Sequence, residues 1–382
     1  MTWFAYHSGM LEHSHLDNNN NFETPHVRFT EGYYGLEDLG PLVHLRYLGI
    51  RDTRVGELPE EIGALKFLQL VCLRAWRVRA PDGIIGKLTS LEELQAFPHY
   101  NDRSKGLFVK DLGNLRELRV LRTCIEPMDE SMQQDLVQSL GILNEIQHLT
   151  LKGFYTVMIP DSTNKAWDAV VLSRHLRHLL LGINFIDSLP SCIDPSRLPS
   201  LTHLQINVHD MDEHALKSLG GLPELRYLKL CTVSTARLDI PAADGGFPKL
   251  RSLLLPESTV HFVRNEGSRV SLTIWNGYDD GMASCSRTNK EEERITAPTV
   301  IPNLQELQFK VDVRKLLKTN ASCDNLGLEH LPSLRKVIAD FYCRDAFAVE
   351  VEKEEAALRH TICRTETGYQ RGGEWEPLKI LR

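Results

Sequence analysis

Apolar residues recur along most of this chain with the spacing Leu-x-x-Leu-x-x-Leu-x-Leu. Three successive copies begin at Leu42, Leu65 and Leu88, which are 23 residues apart. The last two apolar positions of each copy are separated by two residues, the period of a β-strand with one buried face. Each copy therefore predicts a short strand that follows a tight apolar turn.

The first copy illustrates the predicted register. We expect Leu48 and Ile50 to point inward, and Tyr47, Gly49 and Arg51 to point outward. The same register predicts further buried pairs in later copies, namely Leu149/Leu151, Leu204/Ile206 and Leu228/Leu230. A period of 20 to 29 residues is typical of leucine-rich repeats, and eleven units are recognisable. The predicted fold is an α/β solenoid, a leucine-rich repeat horseshoe with a parallel concave sheet and an irregular helical or extended convex side.

The organisation along the chain follows from where the repeats are readable. Residues 1–30 form a polar segment that we expect to be disordered, although Val27 and Phe29 resemble a degraded first repeat. The solenoid is predicted over 31–341, with Asp129 capping a helical return and a charged loop insertion near 264–298 that contains one strand, 270–274. Residues 342–382 are predicted to be a capping helix and tail.

That capping helix is predicted over 345–364, with Phe347, Val351, Leu358 and Ile362 on its apolar side. Its acidic residues are expected to form the solvated face of the helix. They are Glu350, Glu352, Glu354 and Glu355.

Composition and charge exclude several classes of protein. The chain has 42% hydrophobic residues and a net charge of −7, which argues against non-specific nucleic-acid binding. We find no secretory signal and no apolar run of membrane-spanning length, so we expect a cytoplasmic protein, with the nucleus as an alternative. The eight cysteines form no C-x-x-C pair, which favours reduced, mostly buried thiols over a disulfide framework or a zinc site.

Two segments carry a more specific resemblance. Residues 42–53, LVHLRYLGIRDT, and 58–65, LPEEIGAL, resemble the repeat region of plant nucleotide-binding, leucine-rich-repeat disease resistance proteins, the coiled-coil class of grasses. Residues 327–334, GLEHLPSL, resemble the C-terminal end of that region. The resemblance implies a role in the defense response, in which the protein binds a pathogen effector, a guarded host protein or a nucleotide-binding partner domain.

The family's phosphate-binding loop has no counterpart in this sequence. The nearest string, Gly83 to Leu88, has the wrong spacing and lacks a hydroxyl after the lysine. We therefore expect neither ATP nor ADP to bind, and we interpret the chain as a relative that consists of the repeats alone. No nucleophile motif is present, and the histidines favour solvated positions, including His178, so no catalytic residue, metal ligand or cofactor is predicted.

The candidate protein-binding residues are the outward strand positions and their neighbours. In the early repeats they are Tyr47, Arg51, Arg74, Trp76 and Phe97, and in the later repeats they are Tyr227, Lys229, Gln308 and Lys310. Arginine beside tryptophan is typical of binding hot spots. A solvated basic edge is also compatible with the early cluster, so both interpretations stay open.

Three functional hypotheses follow. The first is a non-enzymatic recognition module of the defense type. The second is a cytosolic adaptor or scaffold, for example one that selects substrates for a ubiquitin ligase. The third is a non-functional receptor fragment. The sequence leaves the ligand and the oligomeric state open.

Overall fold

A computed structural model describes most of the repeats and the segments between them. The described residues are 26–30, 39–51, 57–74, 80–96, 102–124, 129–152, 167–232, 236–240, 246–256, 258–265, 269–276, 301–318, 322–328, 331–344, 346–366 and 378–381. The chain divides into two compact units, Met1–Asn184 and Phe185–Arg382.

The first unit contains a parallel sheet whose strands pair in chain order. The strands are β1 (His26–Thr30), β2 (Tyr47–Arg51), β3 (Leu70–Arg74), β4 (Glu93–Ala96), β5 (Val120–Cys124), β6 (His148–Lys152) and β7 (His178–Ile186), which reaches the boundary between the units. The register aligns Val27 with Leu48 and Phe29 with Ile50, as expected for a first repeat.

The second unit contains a parallel sheet and a smaller antiparallel one. The parallel strands pair in the order β8 (His203–Val208), β9 (Tyr227–Thr232), β11 (Ser252–Leu255), β14 (Glu306–Asp312), β15 (Lys336–Tyr342) and β16 (Leu378–Leu381). The antiparallel strands are β10 (Ala236–Ile240), β12 (Ser258–Asn265) and β13 (Arg269–Asn276), with β13 in the middle.

The predicted inward pairs are buried. Leu48 and Ile50 are fully buried, and so are the pairs at 149/151, 204/206 and 228/230. Leucines of the turn before β3 are buried as well, and the N–H of Leu68 donates to the carbonyl of Leu65 at 3.1 Å. The α/β leucine-rich-repeat fold predicted from the spacing is confirmed.

Backbone groups at the start of each strand tie neighbouring repeats together. The carbonyl of Arg46 accepts hydrogen bonds from the N–H groups of Gln69 and Leu70, both at 2.9 Å. The carbonyl of Arg226 accepts in the same way from Arg251 and Ser252, at 2.8 and 3.0 Å. Since these bonds involve only backbone, the repeats keep their register while the outward side chains vary.

The return segments are helices and single turns. The α-helices are α1 (Asp102–Leu112), α2 (Glu130–Ile142), α3 (Glu213–Gly220), α4 (Val313–Lys318) and α5 (Ala348–Glu366), and the 3₁₀ turns are Glu60–Ala64, Ile85–Lys87 and Cys323–Asn325. The predicted helical return is confirmed. Asp129 caps α2 by accepting from the N–H of Met132 at 2.8 Å, and Leu136 and Leu140 are buried.

One expectation for the capping helix was wrong. In the insertion, residues 264 and 265 are the last residues of β12, and the predicted strand at 270–274 lies within β13. In the capping helix, Val351, Leu358 and Ile362 are buried as expected, but Phe347 precedes α5 and is 69% exposed. Residues 277–300 lie outside the described ranges.

The acidic run was also misassigned, because two of its four residues are buried. Glu354 is 1% exposed, and its carboxylate accepts hydrogen bonds from the Ser322 hydroxyl at 3.0 Å and the Cys323 N–H at 2.9 Å. Glu355 is buried too. A buried carboxylate needs donors, and the 3₁₀ turn packed on α5 supplies two to Glu354. Burial, with the nearby Glu354 carboxylate, raises the pKa of the Cys323 thiol.

Candidate functional site

The candidate site consists of the residues at outward register positions of the two parallel sheets. In the first unit these positions define the N-terminal face: His26, Arg28, Thr30, Tyr47, Gly49, Arg51, Leu70, Cys72, Arg74, Glu93, Gln95, Val120, Arg122, Cys124, His148, Thr150 and Lys152. In the second unit they define the C-terminal face: His203, Gln205, Asn207, Tyr227, Lys229, Cys231, Ser252, Leu254, Glu306, Gln308, Lys310, Asp312, Lys336, Ile338, Asp340 and Tyr342.

The predicted residues of the early repeats fall into two groups. Tyr47 lies on the N-terminal face, and Arg51 and Arg74 are paired across adjacent strands by the register. Trp76 and Phe97 lie outside the described residues. Of the predicted hot spot, the structure therefore gives the strand positions of the arginines but not the position of Trp76.

The side chain of Tyr47 extends along β2 toward Gly49. A methyl group added at Gly49 would come within 2.7 Å of the Tyr47 hydroxyl oxygen and 3.0 Å of its ring. The ring therefore covers Gly49, and the absence of a side chain there makes room for it.

Sequence reasoning missed three cations on the N-terminal face. Arg28 is aligned with Gly49 by the register, and Arg122 and Lys152 are exposed. Neither Arg122 nor Lys152 forms an ion pair with another residue in the described ranges. These residues can be identified by assigning alternate residues of every repeat strand to the outward face. Arg122, for example, lies between the inward positions 121 and 123.

Two histidines stack on the N-terminal side. His148 and His178 occupy paired positions of β6 and β7, with ring centroids 4.2 Å apart and planes 12° from parallel. His178 was expected to be solvated, whereas it is only partly exposed because one side of its ring lies against His148.

The four predicted residues of the later repeats lie on two strands separated by β11. Tyr227 and Lys229 lie on β9, and Gln308 and Lys310 lie on β14. On β11, Leu254 is paired with Lys229 of β9 on one side and with Gln308 of β14 on the other. Adjacent strands are about 4.8 Å apart, so one partner can reach both outer strands.

Polar contacts organise the C-terminal face across its strands. The Glu306 carboxylate accepts hydrogen bonds from the Ser252 hydroxyl at 3.3 Å and the Lys336 ammonium at 2.7 Å. The Lys310 ammonium lies 4.6 Å from the centre of the Tyr342 ring. Two of the lysines on this face, Lys310 and Lys336, therefore contact neighbours on the same face.

Tyr227 and His203 form the aromatic part of the C-terminal face. Their rings stack with centroids 5.6 Å apart. Partial burial raises the pKa of the Tyr227 hydroxyl, and the Glu306 carboxylate adds to this shift. Partial burial also lowers the pKa of His203, and Arg226 adds to that shift. Both rings therefore favour their neutral forms near neutral pH.

Leu254 and Ile338 were missed by the sequence analysis. Both occupy outward positions of the C-terminal face, where they are partly exposed beside Gln308. The detectable signal was an apolar residue between the two inward positions of a strand, as in Leu253-Leu254-Leu255. Apolar side chains among polar ones are typical of the centre of a protein interface.

Other chemistry is sparse in the described ranges. They contain no cluster of three or more His, Cys, Asp or Glu side chains that could hold a metal ion. Six cysteines in these ranges are free thiols, of which Cys72, Cys124, Cys192 and Cys323 are buried. Among the helices described, none is both long and apolar enough to cross a bilayer.

The repeated strands and their inward leucines define a leucine-rich-repeat protein. The family model described as "Leucine-rich repeat region" matches residues 26–74 and 69–366, so the chain belongs to this family. The fold is a scaffold for protein interactions.

Curated relatives are disease resistance proteins of Arabidopsis thaliana. The chain is 25% identical over 272 residues to "Probable disease resistance protein RXW24L", covering 62% of this chain and 28% of the relative. It is 26% identical over 328 residues to "Probable disease resistance protein RF9", covering 80% and 26%. The chain thus spans little more than a quarter of the length of these relatives. The predicted resemblance to the repeat region of such proteins is confirmed.

Solved structures with a similar fold include two receptor complexes. One is "Plant peptide hormone receptor RGFR1 in complex with RGF2", with a TM-score of 0.38, 16% identity and coverage of 83% of this chain and 52% of that one. The other is the Toll–Spatzle complex of Drosophila, with a TM-score of 0.43, 12% identity and coverage of 91% and 46%.

Proposed function

We propose that this chain is a non-enzymatic protein-recognition module that acts in plant defense. It binds a pathogen effector, a guarded host protein or the nucleotide-binding domain of a resistance protein. Family membership and the disease resistance relatives support this proposal. The resemblance also supports a cytoplasmic location.

The observation that carries the proposal is the make-up of the C-terminal face. Leu254 and Ile338 are apolar and partly exposed, although the inward neighbours of both already fill the core. Tyr227, Lys229 and Gln308 lie beside them. An apolar centre with a polar rim and an aromatic side chain is the usual composition of a protein interface.

The proposed binding residues keep the predicted set and add the two missed ones. They are Tyr47, Arg51, Arg74, Trp76 and Phe97 in the early repeats, and Tyr227, Lys229, Leu254, Gln308, Lys310 and Ile338 in the later repeats.

The test is a binding assay on the full chain with two kinds of probe. One is a panel of secreted pathogen effectors, and the other is the nucleotide-binding domain of a coiled-coil-class resistance protein. The double variant Leu254→Glu, Ile338→Glu places two charges at the centre of the interface. We expect it to weaken binding of at least one probe about tenfold or more, as for a hot spot.

Val349→Glu is the matched control, because Val349 is 75% exposed in the same unit and lies outside the C-terminal face. It should leave the affinity within about twofold, the usual range for substitutions outside a hot spot. Equal affinity of the wild type and the double variant for every probe that binds would contradict a recognition role for this face.

A further inference from the structure

We infer that the N-terminal face binds an acidic polypeptide segment, which extends the proposed recognition function to a partner of defined chemistry. The inference rests on the charge of this face, which is opposite in sign to that of the chain. The whole sequence carries 51 Asp and Glu against 44 Lys and Arg. The N-terminal face instead carries Arg28, Arg51, Arg74, Arg122 and Lys152 against Glu93 alone.

The register arranges these cations in two lateral rows. Arg28 and Arg122 belong to the middle row, and Arg51, Arg74 and Lys152 belong to the row two residues further along each strand. From β1 to β6 the face extends over five strand spacings, about 24 Å. An extended segment of roughly seven residues would cover that distance.

The two cations with described side chains form no ion pair with any residue that the structure describes. Arg122 and Lys152 are exposed, and neither forms an ion pair with another residue in the described ranges. The lateral neighbours of Arg122 are Gln95 and Thr150, both uncharged. Clustered like charges repel each other, and a bound anionic group removes this repulsion. The cluster therefore favours a bound anion.

Protein carboxylates fit the face better than a long polyanion does. Arginine binds carboxylates through two parallel hydrogen bonds. Leu70 and Val120 are partly exposed on either side of Glu93 on the same face, and they can contact apolar side chains of a peptide. A nucleic-acid duplex is longer than the patch, and the net charge of −7 on the whole chain disfavours its binding.

The experiment measures binding of a fluorescent peptide of about ten residues, alternating Glu and Ala, to the full chain by anisotropy. Wild type should bind it, with affinity that falls as salt rises from about 50 to 300 mM. The double variant Arg122→Glu, Lys152→Glu should lose about tenfold in affinity, since each reversal replaces an attraction with a repulsion. The milder pair Arg122→Gln, Lys152→Gln should lose about threefold, and it covers the case in which the reversals disturb folding.

Arg116→Glu is the matched control, because Arg116 is exposed in the turn before β5 and lies off the face. It should stay within about twofold of wild type. Absence of peptide binding, or an equal loss in the control, would overturn the inference. Tighter binding of a short DNA duplex at the same positions would also overturn it and would indicate a nucleic-acid site.

The C-terminal variant Leu254→Glu, Ile338→Glu separates this inference from the proposed function. Because it changes a different face, it should bind the acidic peptide with at least about a third of the wild-type affinity. A loss of peptide binding in this variant equal to that of Arg122→Glu, Lys152→Glu would contradict an N-terminal site.

Discussion

The N-terminal and C-terminal faces share one strand geometry but differ in how their charges are arranged. On the C-terminal face, Lys229, Lys310 and Lys336 are matched by Glu306, Asp312 and Asp340, and the ammonium of Lys336 contacts Glu306 at 2.7 Å. The positions that define the N-terminal face include five cationic residues and one carboxylate, Glu93.

The difference has consequences for recognition. A face with equal numbers of positive and negative charges offers shape and apolar contact, so its binding should depend weakly on salt. A face with an excess of cations attracts anionic partners over a longer range, and salt should weaken this binding. Identical backbone scaffolds can therefore select different partners through the outward positions alone.

The largest expected effect is on stability, and it shows whether outward residues contribute to the free energy of unfolding as inward residues do. Leu253→Asp places a carboxylate in the core, where Leu253 is 2% exposed, and should lower the free energy of unfolding by at least about 3 kcal/mol. Leu254→Asp, one residue further, should cost less than about 1 kcal/mol. The same contrast should hold between Leu121→Asp and Arg122→Asp in the first unit.

Urea denaturation of the four variants measures these differences. An outward variant that is destabilised as strongly as its inward neighbour would show that the face is part of the core. The comparison between the two faces would then fail.

The second prediction concerns a substitution that makes the C-terminal face more positively charged, as the N-terminal face is. Glu306→Gln leaves Lys336 without the carboxylate that it contacts at 2.7 Å and removes one negative charge from this face. In the background of Arg122→Glu, Lys152→Glu, it should raise the affinity for the acidic peptide about two- to threefold. Glu352→Gln, which removes an exposed carboxylate of α5 outside the face, is the control and should change nothing. No gain in Glu306→Gln would mean that charge pairing does not explain the difference between the faces.

The smallest effect concerns the titration of His203 on the C-terminal face. NMR should give His203 a pKa below its ordinary value of about 6.5, because partial burial disfavours the imidazolium and Arg226 adds to this. The unfolded chain then takes up the proton first as the pH falls. The stability that neutral His203 contributes is therefore present above pH ~6.5 and is lost as the pH falls toward the folded pKa.

Arg226→Gln should raise the pKa of His203 only part of the way, since burial is the larger cause. Complete return to the ordinary value in this variant would show that charge, rather than burial, controls the imidazole.

Much of the fold could be predicted because the spacing of leucines specifies which residues are inward. The inward pairs, the Asp129 cap and the terminal helix all follow from periods of two and 3.6 residues. The candidate site was predicted less completely. Tyr227, Lys229, Gln308 and Lys310 were recognised from their strand positions, whereas Leu254 and Ile338 were overlooked because apolar residues were assigned to the core.

The sequence by itself determined the repeat register, because a slip of one residue would exchange every inward leucine with an outward polar side chain. Only the tertiary structure decided which charges meet. Lys336 reaches Glu306 from a neighbouring repeat, and Glu354 is buried because the 3₁₀ turn at 323–325 supplies donors from 31 and 32 residues away. Such pairings depend on the lateral alignment of distant segments and on the packing of α5, and local spacing carries no information about either.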